Sequence, residues 1–267
     1  MEASPRPAFE LSKWYLDAVG EDGEVFIGYR AALRWRRLRA SYSAALTGGA
    51  DESRTASSVT SGAEPVLQMG SLVWAAPAIG IEGTWTEDAP ALLRTLYDGP
   101  GGSVVWACLF PRARAGVRIG SRELRGFGYA ERLEMTLPPW KLPLDTLRWG
   151  RFLSPDRWVV WIDWQAPARS RTWVFVDGIE AREAEVSDEE ISFEGGRVRL
   201  PSASRLALRA GRVSDLLRGL PLSLLLRLFR RARAMHETKW RTRGVLEFAG
   251  APAVEGWAIH EVVRFRA

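Results

Sequence analysis

The feature that most constrains the fold of this chain is a two-residue alternation of apolar side chains over many short stretches. Successive side chains of a β-strand point to opposite faces, so alternation marks a strand with one buried face. Residues 24–35, EVFIGYRAALRW, show this pattern, as do 126–135 and 257–265, and further strand signals lie at 38–46, 104–110, 115–119, 158–164 and 172–176. Glycine, proline and aspartate turn signals separate them. The pattern predicts an all-β chain of antiparallel sheets and disfavours alternating βαβ units.

Length and a proline-rich segment together predict two domains. A chain of 267 residues suits one large β-domain or two ordinary ones, and residues 137–145, LPPWKLPLD, have the composition of a connector. We therefore expect an N-terminal domain over residues 1–138 and a C-terminal domain over residues 139–267. Residues 47–64 are small and polar and predict a flexible loop, whereas Asp177-Gly178 predicts a tight hairpin turn.

Several classes of chemistry find no support in the sequence. Cys108 is the single cysteine, which excludes an internal disulfide, and its apolar neighbours predict a small buried core residue. His236 and His260 lack a metal-binding spacing, and neither a glycine-rich phosphate loop nor a GxSxG motif occurs. We expect no metal and no organic cofactor. The net charge of +5 comes without a long basic run, so no nucleic-acid partner is expected.

Residues 213–234 have a helical rather than a strand pattern. From Pro221 onward a stripe of leucine and phenylalanine is accompanied by arginines, which predicts an amphipathic helix near 221–234. Such a helix either covers a sheet or lies on a membrane surface, with residues 221–233 placing arginines at the lipid phosphates. The sequence shows no secretion signal and no apolar run of the ~18 residues that span a membrane. We expect a cytoplasmic protein, with peripheral contact at the inner membrane surface as the open alternative.

Two carboxylates interrupt otherwise apolar strand faces. In GFGYAERLEM, residues 126–135, Glu131 shares its face with Phe127, Tyr129, Leu133 and Met135, while the other face has the pattern of a solvated one. In WAIHEVVRF, residues 257–265, Glu261 likewise stands among large apolar side chains. A buried carboxylate must pair, be protonated or meet water in a cavity. Each glutamate is therefore either the partner of an arginine or an acid kept protonated by an apolar, aromatic pocket.

The thirteen tryptophans predict either a densely filled β-core or a cavity with aromatic walls. The candidate ligand-binding residues are Trp14, Trp106, Trp149, Trp164 and Glu261.

Four segments of the chain resemble the motifs of one family. WYLDAVGEDG at 14–23 resembles the opening WWYxDAxSDDG of that family. GFGYAERLEM followed by PLDTLRWGRF resembles its G-x-x-Y-x-D-x-N, its P-L pair and its tryptophan with a following arginine. HETKWRTRGVL at 236–246 and AIHEVVRF at 258–265 resemble its closing segments. On these residues the chain resembles the carotenoid 1,2-hydratases (hydroxyneurosporene synthases) and their lipocalin-like relatives, a superfamily that includes tocopherol-cyclase-like proteins.

The resemblance implies two consecutive lipocalin-like β-domains and an enzyme that hydrates, cyclises or isomerises a double bond of a hydrophobic isoprenoid. Hydratases of the family protonate the terminal double bond of an acyclic carotenoid, and water captures the carbocation. The Tyr-x-Asp motif of the family falls on Tyr129 and Glu131, with glutamate in place of aspartate. Glu131 is then the acid and Tyr129 its hydrogen-bonding neighbour. The alternative is a non-catalytic lipocalin-like carrier of a lipid or pigment.

Overall fold

The computed structural model describes residues 7–49, 53–58, 62–212 and 235–265. These residues are nearly all β-strand and form two curled antiparallel half-barrel sheets, which confirms the predicted all-β, lipocalin-like fold class. The amphipathic helix near 221–234 and its membrane contact lie outside the described residues. Within the described ranges, no helix has the length and apolarity needed to span a membrane.

The first sheet is built from the N-terminal half of the chain. Its strands, in chain order, are β1 (Phe9–Val19), β2 (Val25–Trp35), β3 (Leu38–Gly48), β4 (Ser53–Ser58), β5 (Val66–Gln68), β6 (Ser71–Ala76), β7 (Ile81–Glu87), β8 (Leu92–Gly99), β9 (Gly102–Ile119) and β10 (Arg122–Met135). They lie in the order β4-β3-β2-β1-β10-β9-β7-β6-β5, and β8 also pairs with β9. The flexible loop predicted over residues 47–64 is therefore wrong at β4, because a small, polar composition does not prevent a strand from pairing at a sheet edge.

The second sheet follows from Thr146 onward. Its strands are β11 (Thr146–Leu153), β12 (Trp158–Gln165), β13 (Arg171–Val176), β14 (Ile179–Glu180), β15 (Glu185–Val186), β16 (Glu190–Phe193), β17 (Gly196–Arg199), β18 (Arg205–Arg212), β19 (His236–Phe248) and β20 (Val254–Arg264). Their order is β14-β13-β12-β11-β20-β19-β17-β16-β15, with β18 on β19. The predicted Asp177-Gly178 turn joins β13 to β14, and both of its residues have positive φ.

The two sheets have the same strand order, so β1, β9 and β10 of the first correspond to β11, β19 and β20 of the second. The chain divides into two compact units. Unit 1 comprises 1–20, 26–47 and 54–142, and unit 2 comprises 21–25, 48–53 and 143–267. The domain boundary between residues 138 and 139 stays a prediction.

Strand β9 changes the phase of its burial near Pro111. Before Pro111 the buried residues include Trp106 and Cys108, and after it they are Ala113, Ala115 and Val117. The register with β10 shifts twice between Gly128 and Glu131. A proline has no N–H for the ladder and is confined within sheets to edges and bulges. The stretches 104–110 and 115–119, predicted separately, are thus one irregular strand, and the irregularity lies beside Glu131.

Both faces of the first sheet are buried around the middle of β10. Gly128 and Ala130, on the face predicted to be solvated, are buried, and Ala130 belongs to an apolar cluster with Trp14 and Leu16. The prediction of a solvated face was therefore wrong at these residues. A strand covered on both faces does not alternate between apolar and charged side chains, and small residues on one face instead allow large neighbours to pack against it.

Candidate functional site

Glu131 lies in the middle of β10, between the two strands that flank it. Its register partners are Tyr15 on β1 and Cys108 on β9. Because Ala130 belongs to the apolar cluster, the alternation of the strand places Glu131 on the opposite face. Glu131 and the polar and aromatic residues next to it on that face are named the Glu131 cluster. They are Tyr15, Asp17, Trp106, Cys108, Tyr129 and Glu131.

Two hydrogen bonds converge on a single oxygen of Glu131. The Tyr129 hydroxyl donates to Oε2 at 2.6 Å, and the indole Nε1 of Trp106 donates to the same atom. Both donors belong to buried side chains, whereas Glu131 keeps part of its surface exposed. Two neutral donors therefore hold the carboxyl group through one of its oxygens.

A second tyrosine–carboxylate pair lies beside the first. On β1, the Tyr15 hydroxyl donates to Oδ2 of Asp17 at 3.0 Å. The register places Tyr15 opposite Glu131 and Asp17 opposite Tyr129, so the two pairs are crossed. The rings of Tyr15 and Tyr129 meet edge to face, with centroids 6.0 Å apart. Two carboxylates and two phenols thus form a compact polar patch on this face.

Burial favours the neutral forms of Tyr129 and Cys108, two titratable groups beside Glu131. It raises the pKa of the Tyr129 hydroxyl well above its ordinary value, and the nearby Cys108 and Glu131 raise it further. Burial also raises the pKa of the Cys108 thiol, which is hydrogen-bonded to Tyr129 and is influenced electrostatically by both Glu131 and Asp17. Cys108 is buried, as predicted. Tyr129 is consequently a neutral hydrogen-bond donor at ordinary pH.

The structure separates the aromatic residues predicted to line one ligand site. Trp106 contacts Glu131, but Trp14 lies on the other face of the sheet, in the apolar core, with the Arg132 guanidinium 5.5 Å from its ring centroid. Trp149 and Trp164 are buried in unit 2. Their roles in ligand binding stay predictions.

Glu261 occupies the position in unit 2 that corresponds to Glu131. It lies on β20 opposite Trp149 of β11 and Lys239 of β19. Its carboxylate forms an ion pair with the Lys239 ammonium, which is 1% exposed, and Glu237 lies 3.8 Å from the same ammonium. The Lys239 ammonium also lies 5.5 Å from the centroid of the Trp149 ring. Glu261 is thus a member of a buried ion-pair cluster.

Sequence reasoning missed Tyr15 and Asp17 as members of the site and classed Cys108 as a core residue only. The signal for Asp17 was present, because a carboxylate in WYLDAV interrupts an apolar strand much as Glu131 does. The partner residues could not be found in the same way, since only strand register decides which side chains face each other. Among the described residues, no three His, Cys, Asp or Glu side chains are grouped as a metal site requires.

Solved structures share the fold. CghA superposes with a TM-score of 0.58 and 12% sequence identity over 96% of this chain and 88% of that chain. Kievitone hydratase from Nectria haematococca superposes with a TM-score of 0.54 and 9% sequence identity over 97% of this chain and 89% of that chain. The AttH homologue NE1406 from Nitrosomonas europaea superposes with a TM-score of 0.54 and 8% identity over 97% of this chain and 93% of that chain. CghA and kievitone hydratase belong to the carotenoid 1,2-hydratase-like superfamily. This chain shares the fold of that superfamily. No family model and no curated protein sequence matches it.

The superfamily fold gives the resemblance of the motifs a structural context. The Tyr-x-Asp motif of the hydratases falls on Tyr129 and Glu131, which are two residues apart on β10 and joined by a hydrogen bond. The opening motif falls on β1 and contributes Tyr15 and Asp17 to the same face. Two segments separated by more than one hundred residues in the sequence therefore meet at one patch.

Proposed function

We propose that this protein is an enzyme of the hydratase type, which hydrates, cyclises or isomerises a double bond of a hydrophobic isoprenoid, with Glu131 as the proton donor. The observation that carries the proposal is the convergence of the Trp106 and Tyr129 donors on Oε2 of a partly exposed glutamate. A protonated carboxyl group accepts hydrogen bonds at its carbonyl oxygen and donates from its hydroxyl oxygen. Two donors at Oε2 are compatible with a carboxyl group that carries its proton on Oε1, and they stabilise the carboxylate that remains after proton transfer.

The reaction begins with transfer of that proton to one carbon of the double bond, which leaves a carbocation on the other carbon and an ionised Glu131. Water then attacks the cation and forms the new C–O bond. Loss of a proton from the added water to Glu131 regenerates the acid and balances the reaction. If an alkene of the same substrate attacks the cation, a ring forms and the positive charge moves to a new carbon, which then loses a proton to Glu131 or takes up water. If a C–H next to the first cation instead loses its proton to Glu131, the double bond is moved.

Tyr129 holds the acid in place and does not serve as the acid itself. Its pKa is raised well above the ordinary value by burial, so its phenol is a poorer proton donor than a carboxyl group. Its hydroxyl and the Trp106 indole both stabilise the negative charge that appears on Glu131 after proton transfer. Aromatic faces also favour a nearby cation, and the Tyr15 and Tyr129 rings belong to the same cluster. Kievitone hydratase, which has a similar fold, supports the reaction class through that similarity of fold alone.

The test compares wild-type protein with Glu131→Gln on a panel of detergent-solubilised isoprenoids, including an acyclic carotenoid. Products are detected by mass spectrometry, where hydration adds the mass of one water. We expect turnover to fall about 10²- to 10⁴-fold in the variant, because a positioned acid typically contributes this much, while ligand binding is retained. Glu134→Gln is the matched control, since Glu134 lies on the same strand and is exposed.

Two outcomes would contradict the proposal. If the wild-type protein binds isoprenoids but turns over none of the panel, the non-catalytic carrier is favoured. If Glu131→Gln and Glu134→Gln retain equal turnover, Glu131 is not the acid.

A further inference from the structure

Lys13 is a half-buried cation on the face of β1 that carries the Glu131 cluster, and the proposed reaction gives it no role. It lies opposite Leu133 of β10, just as Tyr15 lies opposite Glu131. Side chains two residues apart on a strand share a face, so the ammonium and the acid belong to one surface of the sheet.

The ammonium of Lys13 lies over an aromatic ring and not beside a carboxylate. It is 5.2 Å from the ring centroid of Tyr29, and that ring meets the Tyr15 ring edge to face, with centroids 5.5 Å apart. Among the residues that the structure describes, no carboxylate lies within ion-pair distance of this ammonium. An aromatic face attracts a cation but does not neutralise its charge. The positive charge of Lys13 is therefore available to an anion.

The side chains level with Lys13 form a row across four strands, named the Lys13 row. After Lys13 on β1 come Leu133 on β10, Trp106 on β9 and Arg94 on β8, each opposite the preceding one. The row thus has a cation at each end and apolar surface between them, which suits a ligand with an anionic group and an apolar body. Because the Arg94 guanidinium already donates to the Leu93 carbonyl, Lys13 is the more available of the two cations.

The rows on either side of the Lys13 row leave its charge in place. One of them is apolar and consists of Leu11, Met135 and Val104. The other contains Glu131, the proposed acid, and Cys108, whose thiol has its pKa raised by burial. Asp17 lies four residues farther along β1, which is about 13 Å along the strand. An anion bound at Lys13 would offset a positive charge close to Glu131 and so favour the protonated form of that acid.

Unit 2 neutralises its own lysine within the sheet. Lys239 stands at the position of Cys108, its ammonium forms an ion pair with Glu261, and Glu237 lies 3.8 Å from the same ammonium. The position of Lys13 is occupied by Leu147 in unit 2. The buried lysine of unit 2 therefore belongs to a closed ion-pair cluster, whereas Lys13 faces the surface of the acid without a carboxylate of its own.

We infer that Lys13 is a specificity-determining residue whose ammonium binds a carboxylate or phosphate group of the substrate, so that the protein acts on an acidic isoprenoid. Both groups offer a negative charge and several acceptor oxygens, which an ammonium recognises as a point charge with three donors. The anionic group lies in the Lys13 row, and the double bond lies one row farther along, beside Glu131. The inference rests on the proposed function, because a protonated Glu131 does not neutralise Lys13, and it deepens that function by naming the class of substrate.

The test measures binding and needs no turnover. Two anionic probes, geranylgeranoic acid and geranylgeranyl monophosphate, are compared with two neutral ones, the methyl ester of the acid and geranylgeraniol, by quenching of tryptophan fluorescence. We expect wild-type protein to bind an anionic probe about 10- to 100-fold more tightly than the neutral ones, the range of a hydrogen bond to a charged group. Tighter binding of either anion supports the inference, and the stronger of the two identifies the anionic group.

The variants separate the charge of Lys13 from its bulk. Lys13→Gln should abolish the preference for anionic probes and leave the binding of the neutral ones unchanged. Lys13→Met keeps the length of the side chain without the charge and should have the same effect, which covers the case that Lys13→Gln does not fold. Lys13→Arg should retain most of the preference. Lys141→Gln is the matched control, because Lys141 is an exposed lysine of unit 1.

Equal affinity of the wild-type protein for anionic and neutral probes, or no measurable binding of any probe, overturns the inference. So does a preference that survives in Lys13→Gln or Lys13→Met, or one that is lost equally in Lys141→Gln. A preference that depends on Lys13 in a protein without turnover refutes the proposed function alone. Loss of turnover in Glu131→Gln, without any preference that depends on Lys13, refutes the inference alone.

Discussion

Units 1 and 2 place a glutamate at the same point of the same sheet and give it opposite surroundings. Glu131 receives hydrogen bonds from Trp106 and Tyr129, which are neutral, and its register partner on β9 is Cys108. Glu261 pairs with the buried ammonium of Lys239. The sequence alone is compatible with two explanations for both residues, a tuned acid or the partner of an arginine. The cation that pairs with Glu261 is a lysine. Unit 2 adopts the ion pair, and the geometry of unit 1 supports the proposed acid.

The comparison shows that strand order alone does not define a site. The two sheets agree in topology and in the register that brings an aromatic residue, Tyr15 or Trp149, opposite the glutamate. They differ in the residues on the neighbouring strands, where a single position is Cys108 in one and Lys239 in the other. A one-residue difference of this kind places a positive charge next to the glutamate of unit 2 where unit 1 has a neutral thiol, and at short range in a protein interior this is a dominant effect.

The largest expected effect concerns acid stability, and it should arise in unit 2. His260 occupies the position of Ala130, is buried, and has its pKa lowered from 6.5 to about 3, mainly by burial and then by Arg205. The unfolded chain therefore binds a proton at this histidine between pH 6.5 and 3 while the folded chain does not. Stability is lost as the pH falls through this interval, by up to about 5 kcal/mol.

Urea unfolding of wild-type protein and His260→Gln at a series of pH values checks this prediction. Glutamine does not titrate, so the variant should lose much less stability between pH 6.5 and 3. In the wild-type protein the Thr242 hydroxyl lies 2.9 Å from Nε2 of His260, and it offers the glutamine a hydrogen-bond partner. Parallel pH profiles for the two proteins would contradict the prediction.

A somewhat smaller effect is expected from breaking the ion pair of unit 2. Glu261→Gln should lower the free energy of unfolding by somewhat less than the cost of breaking a fully buried pair, which is about 3–5 kcal/mol, because the Lys239 ammonium loses its nearer partner while the Glu237 carboxylate stays 3.8 Å away. The triple variant Glu261→Leu, Lys239→Met and Glu237→Gln should recover most of this loss, since replacing all the partners of an ion-pair cluster by neutral groups is often nearly neutral. Denaturant titration measures both.

The comparison of the two units also predicts a difference in activity between Glu131→Gln and Glu261→Gln. Once corrected for the folded fraction, Glu261→Gln should retain the turnover that Glu131→Gln loses. Equal loss of turnover in the two variants would show that the units do not differ in the way proposed.

The smallest expected effect tests what the units share. Gly126 and Gly256 hold corresponding positions on β10 and β20, and a Cβ at either would collide with a backbone carbonyl of the adjoining strand, that of Val19 or that of Leu153. Glycine is needed there because the adjoining strand passes too close for a side chain. Gly126→Ala and Gly256→Ala should each cost about 1–3 kcal/mol, as overpacking does.

Thermal or chemical unfolding measures both glycine variants, with Gly116→Ala as the control, since a Cβ at Gly116 meets no atom within 4 Å. A large loss in one unit and none in the other would indicate that the two frameworks are less alike than their strand order suggests.

Much of the fold could be predicted from the sequence because alternation is a local property. The strands, the Asp177-Gly178 turn and the all-β class follow from the side-chain period and from turn residues. The predictions that were wrong share a physical cause. Gly128 and Ala130 were assigned to a solvated face because small residues do not reveal that large neighbours, such as Trp85, pack over them.

The sequence by itself determined that two strands carry a carboxylate among apolar residues, and its motifs singled out Tyr129 and Glu131. Only the tertiary structure decided which residues meet those carboxylates. Register brought Tyr15 and Asp17 to the face of Glu131 and Lys239 to Glu261. The charge on a neighbouring strand is invisible to periodicity, because the sequence separation between partners carries no information about their pairing. Electrostatic energy depends on distance in space, and that is set by the assembled sheet.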